Sequence, residues 1–245
     1  MAKEKKIVSI AEDAKSDAKF GKDASGRIIK LEDKGDSKGR AKTKRILAVI
    51  FWLIAIGFET IGILRLTGVI DWFSNIDTVP FLIICICLDL AFFIPASLLW
   101  KKANHIDPIS EKNKTRFWIH NNLGSLLSVL AFLPMIIFVL TNKDLDKKSK
   151  TLVTAVAGVA FVIAGITGYD FNPVSSEQLE HAQEEVMAVS ETGKVYWAPT
   201  SKKYHVDPDC PAFSQSETVY EGTVEQAFEE GLTDPCRRCI PEIEE

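Results

Sequence analysis

Four residues near the end of the chain have the types and the spacing of metal ligands. His205 is followed by Cys210, and after a span of 25 residues come Cys236 and Cys239, which form a Cys-x2-Cys pair. Zinc in structural sites takes four nitrogen or sulfur ligands in a tetrahedron, and a Cys-x2-Cys pair often supplies two of them. The four side chains therefore predict one structural Zn²⁺ site.

A disulfide is the rival interpretation of these cysteines. Three cysteines near the C-terminus are an odd number, so one thiol would stay free, and a reducing cytoplasm disfavours the bond. Both facts favour zinc. The fourth ligand stays open between His205, Asp207, Asp209 and water. Cys85 and Cys87 lie in an apolar run, where we expect them to face lipid or to pack as thiols.

A metal-dependent enzyme is a further alternative. The sequences His205-Val206-Asp207 and Pro235-Cys236-x-x-Cys239 imitate the zinc-deaminase pattern of His-x-Glu followed by Pro-Cys-x-x-Cys. However, Asp207 replaces the required glutamate, and Cys210 would fill the position needed by the reactive water. Six residues follow Cys239, too few to complete a deaminase sheet. We therefore predict no enzymatic activity.

Two acidic residues, Glu59 and Asp89, interrupt apolar runs near their centres. An acidic residue there costs about 2.5–3.5 kcal/mol on insertion scales, so both side chains are expected to face the interior of a helix bundle. One hypothesis is a small proton or cation carrier built on this pair. The other is a protonated or hydrogen-bonded pair that sets the register of two helices. The lack of an internal repeat favours the second hypothesis.

Four apolar runs indicate the helices that position these residues. The runs lie at 46–70, 79–100, 117–140 and 152–168. A bilayer-spanning helix needs roughly 20 apolar residues. A soluble core of this size would show shorter runs at amphipathic spacing. The sequence therefore predicts a mainly α membrane protein whose four-helix transmembrane bundle occupies residues 45–168.

Basic residues in the loops predict the orientation of the spans. Ten Lys and Arg flank the ends assigned to the inside and five flank the outer ends, with the basic loop 141–150 in disagreement. The excess indicates that both termini are cytoplasmic. No secretory signal peptide is visible, so the first span is expected to act as an uncleaved anchor in the cell membrane.

Charge and composition divide the rest of the chain. Residues 1–45 hold 14 Lys and Arg against 8 Asp and Glu, and the basic tail 1–44 has few large apolar groups, so we expect disorder there. Residues 169–245 hold 5 Lys and Arg against 17 Asp and Glu. Within them we predict an acidic helical linker at 169–192 and a small α+β zinc-binding head at 193–245.

Sequence signals set out the elements of the head and linker. Capping boxes begin helices at Ser175 and Thr223, and Gly231 suits the end of the second helix. Val195-Tyr196-Trp197 and Val219-Tyr220 predict short strands. A unit of about fifty residues has too small an apolar core to fold readily unaided, so a metal is expected to supply folding free energy.

The head also resembles a known module. It contains Tyr-His at 204–205, Cys-Pro-Ala-Phe at 210–213 and Pro-Cys-Arg-Arg-Cys at 235–239, the pattern YHx4C…PCxxC. Over about 195–240 this is similar to an Ada-type metal-binding module, which implies bound zinc. The family's namesake uses four cysteines and transfers a methyl group to one of them during DNA repair. Three cysteines and one histidine depart from that set.

Together these patterns predict a multi-pass membrane protein that displays a structural-zinc head as a binding or regulatory module. Its partners would be the lipid bilayer and a protein that binds the acidic head. Nucleic acid is not expected, because an acidic surface repels phosphates. The membrane part looks like uncharacterised four-span bacterial membrane proteins, which implies a bacterial origin and no particular activity.

Overall fold

The structure is a computed structural model that describes residues 6–9, 19–22, 28–31, 34–72, 74–213, 216 and 218–241. Its helices are α1 (Lys34–Leu66), α2 (Thr78–Ile106), α3 (Lys114–Asn121), α4 (Leu123–Thr141), α5 (Lys147–Gly168), α6 (Ser176–Val189) and α7 (Val224–Glu229). Its strands are β1 (Lys6–Ser9), β2 (Lys19–Lys22), β3 (Ile28–Leu31), β4 (Val195–Trp197), β5 (Lys203–Tyr204), β6 (Thr218–Gly222) and β7 (Asp234–Pro235). The protein is thus mostly helical.

Among the described residues, four helices are long and apolar enough to cross a membrane: Lys38–Leu66 within α1, and the whole of α2, α4 and α5. The number of such helices agrees with the predicted number of spans. The helices extend beyond the apolar runs, since α1 begins at Lys34 and α2 continues to Ile106. Lysine, arginine and alanine are good helix formers, so a helix continues past the end of its apolar stretch.

The third predicted span, 117–140, is not one helix. α3 ends at Asn121 and α4 begins at Leu123, with Asn122 between them at φ −106° and ψ 20°. The Asn122 side chain donates to the carbonyl of Trp118 at 3.0 Å and accepts the N–H of Asp170 at 2.9 Å. The backbone N–H of Asn122 still donates to the carbonyl of Trp118 at 3.0 Å, so the interruption is confined to the conformation of one residue, and hydropathy does not register it.

The spans pack through small residues where α4 meets α5. The buried stripe of α5 consists of Val153, Ala157, Ala160, Ala164 and Gly168. α5 contains two Ala-Gly pairs, in which Ala157 and Ala164 lie on the buried stripe and Gly158 and Gly165 lie beside it. Small side chains let two helix backbones approach closely.

The chain forms two compact units. The first comprises Met1–Ala41, Asn104–Glu111 and Val174–Glu245, and the second comprises Lys42–Ala103 and Lys112–Pro173. The predicted linker helix, α6, therefore belongs to the first unit. Its Ala182 and Val186 are buried in the same apolar cluster as Val195 and Phe228 of the head. The acidic composition of residues 169–192 predicted a linker, but α6 carries one apolar face, and this face packs in the cluster.

Both capping boxes form. Ser175 Oγ accepts the N–H of Gln178, whose side chain accepts the N–H of Ser175, both at 3.1 Å. Thr223 and Gln226 make the same reciprocal pair at the start of α7. Gly231 follows α7 with φ +83°, a conformation that glycine adopts without strain. These local signals fix the ends of the two helices of the head and linker.

The N-terminal segment 1–44 contradicts the expected disorder where it is described. β1 pairs in parallel with β6, β2 pairs antiparallel with β3, and α1 begins at Lys34. The resulting sheet has the order β1-β6-β4. Composition alone did not predict β1, because its partner strand β6 lies more than two hundred residues away in the sequence. The rest of residues 1–33 lies outside the described residues.

Candidate metal centre

Two short strands place His205 beside Cys236. β5 and β7 run parallel with Tyr204 opposite Pro235, so the next residue on each strand is a candidate ligand. The N–H of Cys236 donates to the carbonyl of Tyr204 at 2.8 Å. This pairing brings together two side chains that are far apart in the sequence.

His205 is also held by β4. Its backbone N–H donates to Tyr196 O at 2.8 Å, and the N–H of Tyr196 donates to His205 O at 2.6 Å. The side chain is buried, and its ring lies 4.3 Å from the ring of Phe213. Burial lowers the pKa of His205, although nearby Asp207 opposes the shift. The neutral imidazole, which is the form that binds metal, is therefore favoured.

Cys210 lies between two tight turns. Its N–H donates to the carbonyl of Asp207 at 3.2 Å, and its own carbonyl accepts the N–H of Phe213 at 2.9 Å. A 3-10 helix at Pro211–Phe213 follows. The Cys-Pro-Ala-Phe sequence thus fixes the backbone on both sides of a fully buried sulfur.

Cys236 and Cys239 lie on one turn, in which the N–H groups of Cys239 and Ile240 donate to Cys236 O at 3.0 and 2.9 Å. Burial of Cys236 opposes its ionisation, but hydrogen bonds to its sulfur outweigh burial and lower its pKa. The donors are the backbone N–H groups of Arg238 and Cys239 and the neighbouring thiols. A turn that aims N–H groups at a sulfur is suited to hold a thiolate.

The four predicted ligands converge in the structure. One ligand atom from each of His205, Cys210, Cys236 and Cys239 lies within 4.8 Å of all the others. Cys239 Sγ is 3.6 Å from His205 Nδ1. A tetrahedral zinc ion with bonds of about 2.3 Å to sulfur and about 2.0–2.1 Å to nitrogen would separate such a pair by roughly 3.5 Å. The cluster could therefore hold a metal ion.

The electrostatics of the cluster also favour a bound cation. Burial raises the pKa of Cys239, and the adjacent Cys210 and Cys236 raise it further. Three neighbouring thiols cannot all ionise in a buried site unless a positive charge is present. A divalent ion would supply that charge and displace the thiol protons.

An ion pair fastens α6 to the Cys-x2-Cys turn. Arg237 Nη1, between the two cysteines of the turn, donates to Glu185 Oε1 at 2.9 Å. The side chain of Glu185 is 5% exposed and that of Arg237 is 42% exposed. Sequence reasoning did not identify either residue, and the 52-residue separation gives no local signal for the pair.

The remaining candidates lie outside the cluster. Asp207 and Asp209 are exposed, and Asp207 Oδ1 accepts the N–H of Asp209 at 2.9 Å. Their carboxylates shape the turn before Cys210. Cys85 and Cys87 lie in α2, Cys85 buried and Cys87 exposed. The cluster thus contains His205 rather than an aspartate as its fourth member.

The intramembrane residues Glu59 and Asp89 lie in the second unit. Both are buried, and each carboxyl group interacts electrostatically with the other. Their predicted inward orientation agrees with this burial. The two sets of predicted site residues therefore occupy separate units of the chain.

Comparison with known proteins adds no assignment: the chain matches no family model, and neither the curated proteins nor the solved structures contain a match.

Proposed function

We propose that this protein is a multi-pass membrane protein that carries a zinc-stabilised head as a binding or regulatory module. The observation that carries the proposal is the convergence of His205, Cys210, Cys236 and Cys239 within 4.8 Å. Four helices that are long and apolar enough to cross a membrane support the membrane assignment. The resemblance of the pattern YHx4C…PCxxC to an Ada-type metal-binding module is part of this proposal and favours zinc as the ion.

Zinc suits this donor set better than a hard cation does. Three sulfurs and an imidazole nitrogen favour Zn²⁺ over Mg²⁺ or Ca²⁺, which take oxygen ligands. Four protein ligands fill a tetrahedron and leave no position for a reactive water. The same geometry therefore argues for a structural ion and against a deaminase-like reaction. Methyl transfer is disfavoured on a different ground, since His205 stands where the methyl-acceptor module has a fourth cysteine.

The sheet of the head supports a binding role. β6 pairs with β4 on one side and with β1, a segment from the other end of the chain, on the other. A sheet edge that accepts an extended segment through backbone hydrogen bonds is a recurrent peptide-binding surface. The acidic charge of residues 169–245 selects a partner with a basic surface.

Metal content of the full-length protein, purified in detergent, tests the zinc proposal. We expect about one zinc per chain in the wild type and in Cys87→Ser, since Cys87 lies outside the cluster. Cys236→Ser should lose most of the metal, because a structural site needs four ligands. Unchanged zinc in Cys236→Ser would contradict the assignment.

The identity of the fourth ligand separates a closed site from a catalytic one. His205→Ala should weaken zinc binding by at least about tenfold, since even outer-shell changes cost ~10–100-fold. Asp207→Asn should leave the affinity within a few-fold. X-ray absorption should show sulfur and nitrogen neighbours alone. A bound water oxygen in the first shell would instead favour a metal-dependent enzyme.

A further inference from the structure

Two carboxyl groups lie inside the apolar core of the second unit. Glu59 of α1 is 4% exposed and Asp89 of α2 is 1% exposed. Neither forms an ion pair with a described basic side chain, and Asp89 interacts electrostatically with Glu59. The surrounding core is apolar and includes Trp52, Phe93, Phe132 and Met135. An ionisable group inside a membrane helix bundle is costly to bury and is therefore a candidate functional site.

A backbone N–H of α4, next to a proline, holds Glu59 in place. Pro134 lies inside α4 and has no N–H, and the next residue, Met135, donates its backbone N–H to Glu59 Oε1 at 3.2 Å. A proline loosens the helical hydrogen-bond ladder around it. That loosening lets a carboxyl group on another helix accept a backbone N–H in the middle of α4.

Asp89 has no such donor. Its Oδ1 has no hydrogen-bond partner among the described residues, although the side chain is fully buried. A donor oriented towards a carboxyl oxygen favours the charged form, and burial without a donor favours the neutral form. Glu59 is therefore the better site for the charge and Asp89 the better site for a proton.

We propose that Glu59 and Asp89 form a proton-binding pair in the membrane interior, in which Asp89 carries the exchangeable proton and Glu59 the negative charge. Two carboxylates in electrostatic contact at low dielectric do not ionise together, so the pair retains a proton. The other titratable group that interacts with Asp89 is the thiol of Cys85. No charged side chain of α4 or α5 interacts with either carboxyl within the described residues.

Labelling of the full-length protein in liposomes with dicyclohexylcarbodiimide tests the pair. This apolar reagent reacts with protonated carboxyl groups in apolar surroundings, and mass spectrometry locates the adduct. We expect an adduct on Asp89 near neutral pH, its loss in Asp89→Asn, and no change in Glu191→Gln, which alters an exposed loop carboxyl. Absence of an adduct on Asp89 in the wild type would overturn the proposal, whether or not Asp89→Asn folds.

The variant Glu59→Gln tests the electrostatic coupling between the two carboxyl groups, which a purely structural pair would not show. Without a charged neighbour Asp89 should lose its proton more readily, so the pH midpoint of labelling should fall by about one unit or more. An unchanged midpoint in a folded variant would overturn the coupling. Protection by Na⁺ against a choline control at constant pH would identify a cation site and overturn the proton assignment.

Discussion

At the scale of single residues, the ion pair between Glu185 and Arg237 links the candidate metal centre to α6. Glu185 is 5% exposed, whereas Arg237 is 42% exposed, so water screens one partner and not the other. Removing Arg237 leaves a carboxylate that is buried without a counter-charge. Removing the charge of Glu185 leaves a guanidinium that water can solvate. The two substitutions should therefore have unequal costs.

We predict that Arg237→Ala lowers the free energy of unfolding of the zinc-loaded protein by about 1–3 kcal/mol. Glu185→Gln keeps an acceptor for Arg237 and should cost under about 1 kcal/mol. Arg238→Ala, which removes the same charge one position along the same turn and is exposed, is the matched control. Denaturant unfolding in detergent at saturating zinc measures all three. Equal losses for Arg237→Ala and Arg238→Ala would show that the ion pair does not anchor α6.

The sequence predicted the residues of the Cys/His cluster better than the residues that hold this cluster in place. Three cysteines and His205 stand out because their side chains are chemically distinctive and two are separated by a fixed spacing. The choice of His205 over Asp207 required the β5–β7 register, which no local pattern specifies. Glu185 and Arg237 look like any other surface charges in the sequence, and only the fold shows that they meet.

At the scale of elements, the contact between α4 and α5 depends on two glycines. A Cβ atom added to Gly168 would lie 2.4 Å from both Gly124 C and Ser125 N. These are backbone atoms, so the two helices would have to separate. Gly158, ten residues earlier on α5, has nothing within 4 Å of the same added atom. The two positions therefore form a matched pair on one helix.

Gly168→Ala should destabilise the protein by about 1–3 kcal/mol, the usual cost of overpacking a close contact. Gly158→Ala should be neutral or stabilising by up to about 1 kcal/mol, since alanine is the better helix former. Thermal unfolding in detergent at equal zinc concentration compares them. Equal stability of the two variants would show that the helices do not approach through Gly168.

The elements themselves were predictable to different degrees. The spans follow from apolar length, and α6 and α7 begin where the capping boxes of Ser175 and Thr223 place them. The break at Asn122 was missed because a single polar residue hardly alters the hydropathy of its neighbours. The pairing of β1 with β6 was missed because a short strand acquires its stability from a distant edge, not from its own composition.

At the scale of the whole molecule, the first unit joins three segments that are distant in sequence: Met1–Ala41, Asn104–Glu111 and Val174–Glu245. Arg40 of the basic N-terminal part donates to Glu229 of the acidic C-terminal part at 3.0 Å. A chain with four spans returns to its starting side after every second span. The three segments therefore lie on one side of the membrane if all four helices cross it.

The basic residues before the first span and at 101–116, between the second and third spans, predict that this side is the cytoplasm. Single cysteines added at three exposed positions test it: Asn75→Cys and Asp144→Cys in the two loops assigned outside, and Lys202→Cys in the head. An impermeant maleimide applied to intact cells should label the first two above the wild-type background, and Lys202→Cys only after lysis. The opposite pattern would place the head outside, where an oxidising environment would favour a disulfide over zinc at Cys210, Cys236 and Cys239.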